Sequence, residues 1–154
     1  MQFAREKNMS TEENNGAVQP YLFFDGRCEE ALEFYKSALG AEVLMLVRFK
    51  ENPDPSHNPP GSENKIMHAR FSVGGSIVMA SDGHCGGKPE FHGFSLSLTV
   101  STEAGADRFF NALAGGGQIR MPLEKTFFSP RFGMVVDKFG VLWMVLADRR
   151  QGPR

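Results

Sequence analysis

The segment KIMHARFSV, residues 65–73, holds the side chains best suited to chemistry. Alternate residues of a strand share a face, so Met67, Ala69 and Phe71 form one side and Ile66, His68 and Arg70 the other. The apolar set belongs against a helix, which turns His68 and Arg70 to the open side. Arg48 alternates with Val43, Met45, Val47 and Phe49 and is expected on that same open side. Histidine changes charge nearest neutral pH, so His68 suits a general base; a satisfied cross-strand histidine is the other reading. Arg48 and Arg70 suit two-pronged binding of a carboxylate or phosphonate, or are solvated strand ends. Asp82 opens an Asp-Gly turn, where its carboxylate serves the turn or chemistry.

Other arrangements have less to offer. His84, Cys85 and His92 are spaced H-C-x6-H, which matches no zinc pattern. There is no G-x-S-x-G, no phosphate loop and no dinucleotide fingerprint. Two cysteines cannot build a disulfide framework and fit a reducing compartment.

The elements that position these residues can be read from patterning. Val18–Phe24 reads as a strand. Asp25-Gly26 opens a helix whose stripe is Cys28, Ala31, Leu32, Tyr35 and Leu39, closed by Gly40. Residues 42–50 read as a strand, and 51–64, with four prolines, as a loop. Residues 65–73 and 76–81 form a hairpin around Gly74-Gly75. After a linker at 82–93 the order starts again. Ser95–Val100 alternates cleanly, which turns Ser95, Ser97 and Thr99 one way and Leu96, Leu98 and Val100 the other. Ser101-Thr102 caps a helix with the stripe Ala106, Phe109, Phe110 and Leu113. Residues 118–123, 132–136 and 141–147 read as strands. In the last, Leu142, Met144 and Leu146 face the open side, and Trp143 is a core anchor whose N–H needs a partner. Phe127 and Phe128 are expected over a pocket mouth or between subunits.

Each half therefore reads strand, helix, strand, strand, strand, and the residues repeat too. Displaced by 75, Ala31, Phe34, Tyr35 and Gly40 fall on Ala106, Phe109, Phe110 and Gly115. Displaced by 65, Gly75, Ile77 and Met79 fall on Gly140, Leu142 and Met144. An internal duplication is expected: module 18–82 and module 94–148 within one domain, 18–148, between flexible tails at 1–17 and 149–154.

Composition bounds the function. The chain has 154 residues and a formal charge of −1, which removes a broad electrostatic case for nucleic acid or an anionic membrane surface. The longest apolar run, Val141–Ala147, falls far short of the roughly 20 residues a spanning helix needs. The first residues lack an apolar signal core, so a cytoplasmic location is expected.

Three stretches, YLFFDGRCEEALEFYKSALGAEV, KIMHARFSVGGSIVMASD and MPLEKTFFSPRFGMVVDKFGVLWMV, together resemble the PhnB-like branch of the vicinal oxygen chelate superfamily. That superfamily includes glyoxalase I, bleomycin-resistance proteins and extradiol dioxygenases. The resemblance covers about residues 18–148 and implies an α+β fold: two paired βαβββ modules curling around a cavity, often in a homodimer. Its metal enzymes place His, Gln or Glu on the first and last strands of each module to hold a divalent ion. The resemblance carries those positions to Gln19 or Pro20, Met79, Ser95 and Met144.

These residue types depart from that pattern. Proline has no ligating side chain, a thioether is soft, and serine is a poor ligand. A binding cavity lined by Arg48, His68, Arg70, Met79, Ser95, Ser97 and Met144, with no metal or other cofactor and a small molecule as partner, is therefore expected. A relocated divalent centre on Gln19, His68 and Asp82, supporting lyase, isomerase or dioxygenase chemistry, is the alternative. A third reading is an interaction module that uses its sheets only as a dimer scaffold. Names in this branch that suggest phosphonate metabolism or ubiquinone methylation find no support in the residues; no glycine-rich nucleotide loop opens a helix.

Overall fold

The computed structural model describes residues 16–148. Residues 1–15 of the expected leading tail and the expected closing tail at 149–154 lie outside them. The first module runs β1 (Tyr21–Phe23), α1 (Cys28–Leu39), β2 (Glu42–Arg48), β3 (Ile66–Val73) and β4 (Ser76–Ser81). The second runs β5 (Leu96–Val100), α2 (Glu103–Ala114), β6 (Gln118–Glu124), β7 (Phe132–Val136) and β8 (Leu142–Ala147). Each module makes one four-stranded mixed sheet, in the order β1-β4-β3-β2 and β5-β8-β7-β6. The same order twice is the structural form of the duplication read from the sequence.

The helices form for local reasons. In α1, Cys28, Ala31, Leu32, Tyr35 and Leu39 are buried at helical spacing, and Gly40 closes it at φ 67, where its N–H reaches the Lys36 carbonyl. That left-handed backbone suits glycine. The Thr102 hydroxyl accepts from the Gly105 N–H at 2.9 Å and caps α2, which buries Ala106, Phe110 and Leu113.

One core joins the two modules. It contains Leu22, Phe24, Tyr35, Ile66 and Phe71 from the first and Phe110, Leu113, Val135, Phe139 and Trp143 from the second. Tyr35 stands at its centre, 5.8 Å from Phe71 and 5.6 Å from Trp143 between ring centroids. The sheet faces turned away from this core are the open faces.

Strand β3 departs from simple alternation. Val47 pairs with His68, but the next residue, Arg48, pairs with Ile66, so Met67 is an extra residue in the ladder. Such a bulge shifts the phase of every residue on its far side. Ile66 is consequently in the core, fully buried, and Met67 shares the open face with His68. A second bulge at Leu44 shifts β2 in the same way. Arg48, expected on the open face, is thereby turned to the helix side. It pairs with Glu29 of α1 and donates to the Asn64 carbonyl.

Candidate functional site

The open face of the first module is built from two rows that cross the sheet. Register sets Tyr21 beside Met79, Met79 beside Arg70, and Arg70 beside Met45. The next row along holds Phe23, Ser81, His68 and Val47. The Tyr21 hydroxyl and His68 Nδ1 share a hydrogen bond of 3.0 Å, the phenol donating when the imidazole proton is on Nε2. The Tyr21 ring lies 5.0 Å from Phe23 and 5.6 Å from His68, so three rings form one wall. Arg70 is half-buried on this face. A groove of about 560 Å³ opens beside the wall, lined by Tyr21, Phe23, Met67 and Ser81 and bounded by Asp25, His57, Pro59 and His84.

The second module repeats the frame with other chemistry. Ser97 pairs with Met144, Met144 with Met134, and Met134 with Met121. Tyr21, Met79, Arg70 and Met45 thus correspond to Ser97, Met144, Met134 and Met121. The first row sets a phenol and a guanidinium among two thioethers; the second is one hydroxyl and three thioethers. A groove of about 700 Å³ lies over this face, where Met134, Val136, Leu142 and Arg120 meet residues 89–95. A third cleft, about 440 Å³, separates Gln19, Pro20 and the β3–β4 hairpin from Ser95, Ser97 and Trp143.

The structure brings His68, Arg70 and Met79 together on one open face and Ser97 and Met144 on the other. Ser95 borders two of the clefts, and Gln19 lies in the third, away from His68. Arg48 belongs to neither face. Sequence reasoning missed Tyr21, which sat within an apolar run; its alternation with Leu22 and Phe24 was the available signal. Trp143 is the core anchor expected, and its N–H finds Asp137 at 2.9 Å. Phe127 and Phe128 lie on the β6–β7 loop, Phe128 5.0 Å from Phe132.

Asp82 is spoken for. Its carboxylate accepts from the backbone N–H of Gly26 at 2.7 Å, Cys28 at 2.8 Å and Ile66 at 2.8 Å, and it is 1% exposed. Those bonds tie the start of α1 to the start of β3 on the core side, whereas His68 faces outward, so the set Gln19, His68 and Asp82 is not assembled. Burial, with Asp82 and Glu29 nearby, pushes the Cys28 thiol far above its usual range, which leaves it inert.

The positions implied for a divalent ion can be tested on these residues. Register puts Tyr21 and Ser97, rather than Gln19 and Ser95, beside Met79 and Met144. A phenol, a hydroxyl and two thioethers do not fit a hard divalent ion. Among the described residues no group of three or more His, Cys, Asp or Glu is placed to hold a metal ion.

Two four-stranded sheets of identical order, one helix to each and a shared core define the glyoxalase-like paired-module fold of the vicinal oxygen chelate superfamily. The fold is shared with a glyoxylase/bleomycin resistance protein/dioxygenase domain from Frankia, at 18% identity and a TM-score of 0.58, covering 90% of this chain and 95% of that one. Residues 16–146 match the family model described as 3-demethylubiquinone-9 3-methyltransferase, and the chain belongs to that PhnB-like family. The structure of PA1353 from Pseudomonas aeruginosa is similar, with 43% identity, a TM-score of 0.75 and 86% of this chain and 98% of that one covered. So is the PhnB protein of Bacillus cereus, with 34% identity, a TM-score of 0.72 and coverage of 86% and 99%.

Proposed function

We propose that this chain binds a small molecule on its open faces and does so without the divalent centre of the superfamily's metal enzymes. The observation that carries this reading is the donor set Tyr21, Met79, Ser97 and Met144, which stands in register at the implied ligand positions. The groove beside Tyr21 combines apolar walls with a few polar groups, the usual make-up of a small-molecule site. On that face His68, hydrogen-bonded to Tyr21, is the group suited to moving a proton, and Arg70 is suited to holding an anion.

The open faces also suit a homodimer. Met45 and Met121, on the outermost strands, are 45% and 42% exposed, and Phe127 is 87% exposed. Large apolar side chains left exposed favour association. Among the described residues no helix is long and apolar enough to cross a membrane, and a cytoplasmic binding protein is the reading we adopt. The methyl transfer in the family's description is not carried to this chain, because no glycine-rich nucleotide loop opens either helix.

Native mass spectrometry of freshly purified protein tests the reading. The expected result is a subunit mass without a metal-sized increment, with an organic adduct where the ligand is retained. A stoichiometric metal whose removal abolishes an activity would overturn it.

A further inference from the structure

The duplication supplies an internal comparison. Equivalent positions on the two open faces share a backbone frame, so differences between them are differences of side chain alone. The first face has Tyr21, Phe23 and Arg70 where the second has Ser97, Thr99 and Met134. Along these rows, aromatic rings and a cation occur together only on the first face; the rings and the cation of the second groove, Phe91, Phe94 and Arg120, come instead from residues 89–95 and from the bulge of β6.

Their separation has a scale. Tyr21 and Arg70 stand two strands apart on one row, about 10 Å at the usual spacing of about 4.8 Å. His68 and Arg70 are two residues apart on one strand, about 7 Å. A single aromatic ring bearing a carboxylate fits such a span, with the ring against Tyr21, Phe23 and His68 and the charge toward Arg70. The flanking thioethers of Met45 and Met79 are soft and adaptable and offer no competing charge. Arg70 makes no ion pair with any described residue, so its charge is available to a ligand.

Building on the small-molecule reading above, we infer that the chain has one site for a planar aromatic monoanion, on the open face of the first module, and that the duplicated face of the second module has lost or never gained it.

The test is titration of the full-length protein with benzoate, benzyl alcohol and acetate, followed by calorimetry or by NMR shifts. Benzoate should bind once per chain, and benzyl alcohol and acetate should bind at least tenfold more weakly. Arg70→Met copies the residue at the duplicated position and should weaken benzoate about 10- to 100-fold, the loss expected for a hydrogen bond to a charged group. Tyr21→Ser copies the other face in the same way and should weaken it several-fold, with the circular dichroism of both variants unchanged. Benzyl alcohol binding as well as benzoate, with Arg70→Met silent, would remove the inference and leave small-molecule binding standing. Two benzoates per chain, or loss on Arg120→Met but not on Arg70→Met, would likewise overturn it. Failure of all three probes would remove the inference together with the small-molecule reading of this face.

Discussion

The Tyr35 hydroxyl donates a 2.6 Å hydrogen bond to Oδ2 of Asp137, a residue 102 positions away in the other module. The same oxygen accepts from the Trp143 indole at 2.9 Å, and Oδ1 accepts from the N–H groups of Phe139 and Val141 at 2.9 and 3.1 Å. One buried carboxylate, 2% exposed, therefore satisfies four donors and links the first helix to the β7–β8 turn. A buried charge persists when it is fully hydrogen-bonded.

Removing one donor differs from removing the acceptor. Tyr35→Phe leaves the carboxylate with three partners and should cost about 2 kcal/mol, the worth of a hydrogen bond to a charged group. Asp137→Ala strands four donors at once and should cost about 3 kcal/mol or more. Urea denaturation of both variants checks the order. No loss in Tyr35→Phe would mean that the hydrogen bond adds nothing to the apolar packing that joins the two modules.

Alkaline pH should loosen the same core. Burial, then the Asp137 charge, raises the Tyr35 phenol well above its usual value, and burial raises the Cys28 thiol. Folding therefore favours both neutral forms. Their contribution is complete below the unfolded values, about 8.5 for a thiol and 10 for a phenol, and is lost as pH rises beyond them. Urea midpoints measured from pH 8 to 10.5 should fall progressively. Cys28→Ala should flatten the lower part of that fall and Tyr35→Phe the upper part.

What the sequence reveals here is whatever depends on uninterrupted alternation. Ser97 and Thr99 face opposite to Leu96, Leu98 and Val100, and Met144 faces opposite to Trp143 and Val145, because β5 and β8 run without a bulge. The reading of β3 slipped by one residue at Met67, since a bulge is a property of pairing with a neighbour and leaves no mark in the strand's own pattern. Arg48 went astray for the same reason: the bulges turn it toward Glu29. Tyr21 was hidden by its apolar company. The Asp137 hub was out of reach because its partners lie on different elements, and a turn aspartate reads alike whether or not a distant tyrosine points at it.

Asp82 gives a direct comparison between a structural role and the alternative of a metal ligand. Its carboxylate holds three backbone N–H groups, two of them in hydrogen bonds that are fully buried. Asp82→Ala should destabilise the fold by about 3 kcal/mol, with Asp82→Asn intermediate because one oxygen remains. Metal content by elemental analysis should be the same in all three proteins. A stable Asp82→Ala variant that had lost bound metal would reverse the assignment.

The three glycines that follow α2 look interchangeable in the sequence, yet the structure ranks them. A Cβ on Gly117 would lie 2.1 Å from the Val136 carbonyl oxygen and 3.0 Å from the Asp137 backbone. Backbone cannot retreat as a flexible side chain can, so Gly117→Ala should force β6 away from β7 and cost about 1–3 kcal/mol. Gly116 has φ +74, and alanine there pays for the left-handed backbone, about 1 kcal/mol. Gly115 would meet only the Ala112 carbonyl at 3.4 Å, a contact that a few tenths of an ångström relieves. Gly75, in the β3–β4 turn, has nothing within 4 Å and no left-handed φ. Gly75→Ala should be neutral or stabilise slightly by restricting the unfolded chain. Thermal unfolding of the four alanine variants should place Gly117→Ala lowest, then Gly116→Ala, then Gly115→Ala, with Gly75→Ala at or above the parent. Because Gly117 begins the approach to β6, whose Met121 ends the methionine row, Gly117→Ala should also disturb the second open face while leaving the Tyr21–His68 pair intact, a difference that NMR shifts of the two modules would separate.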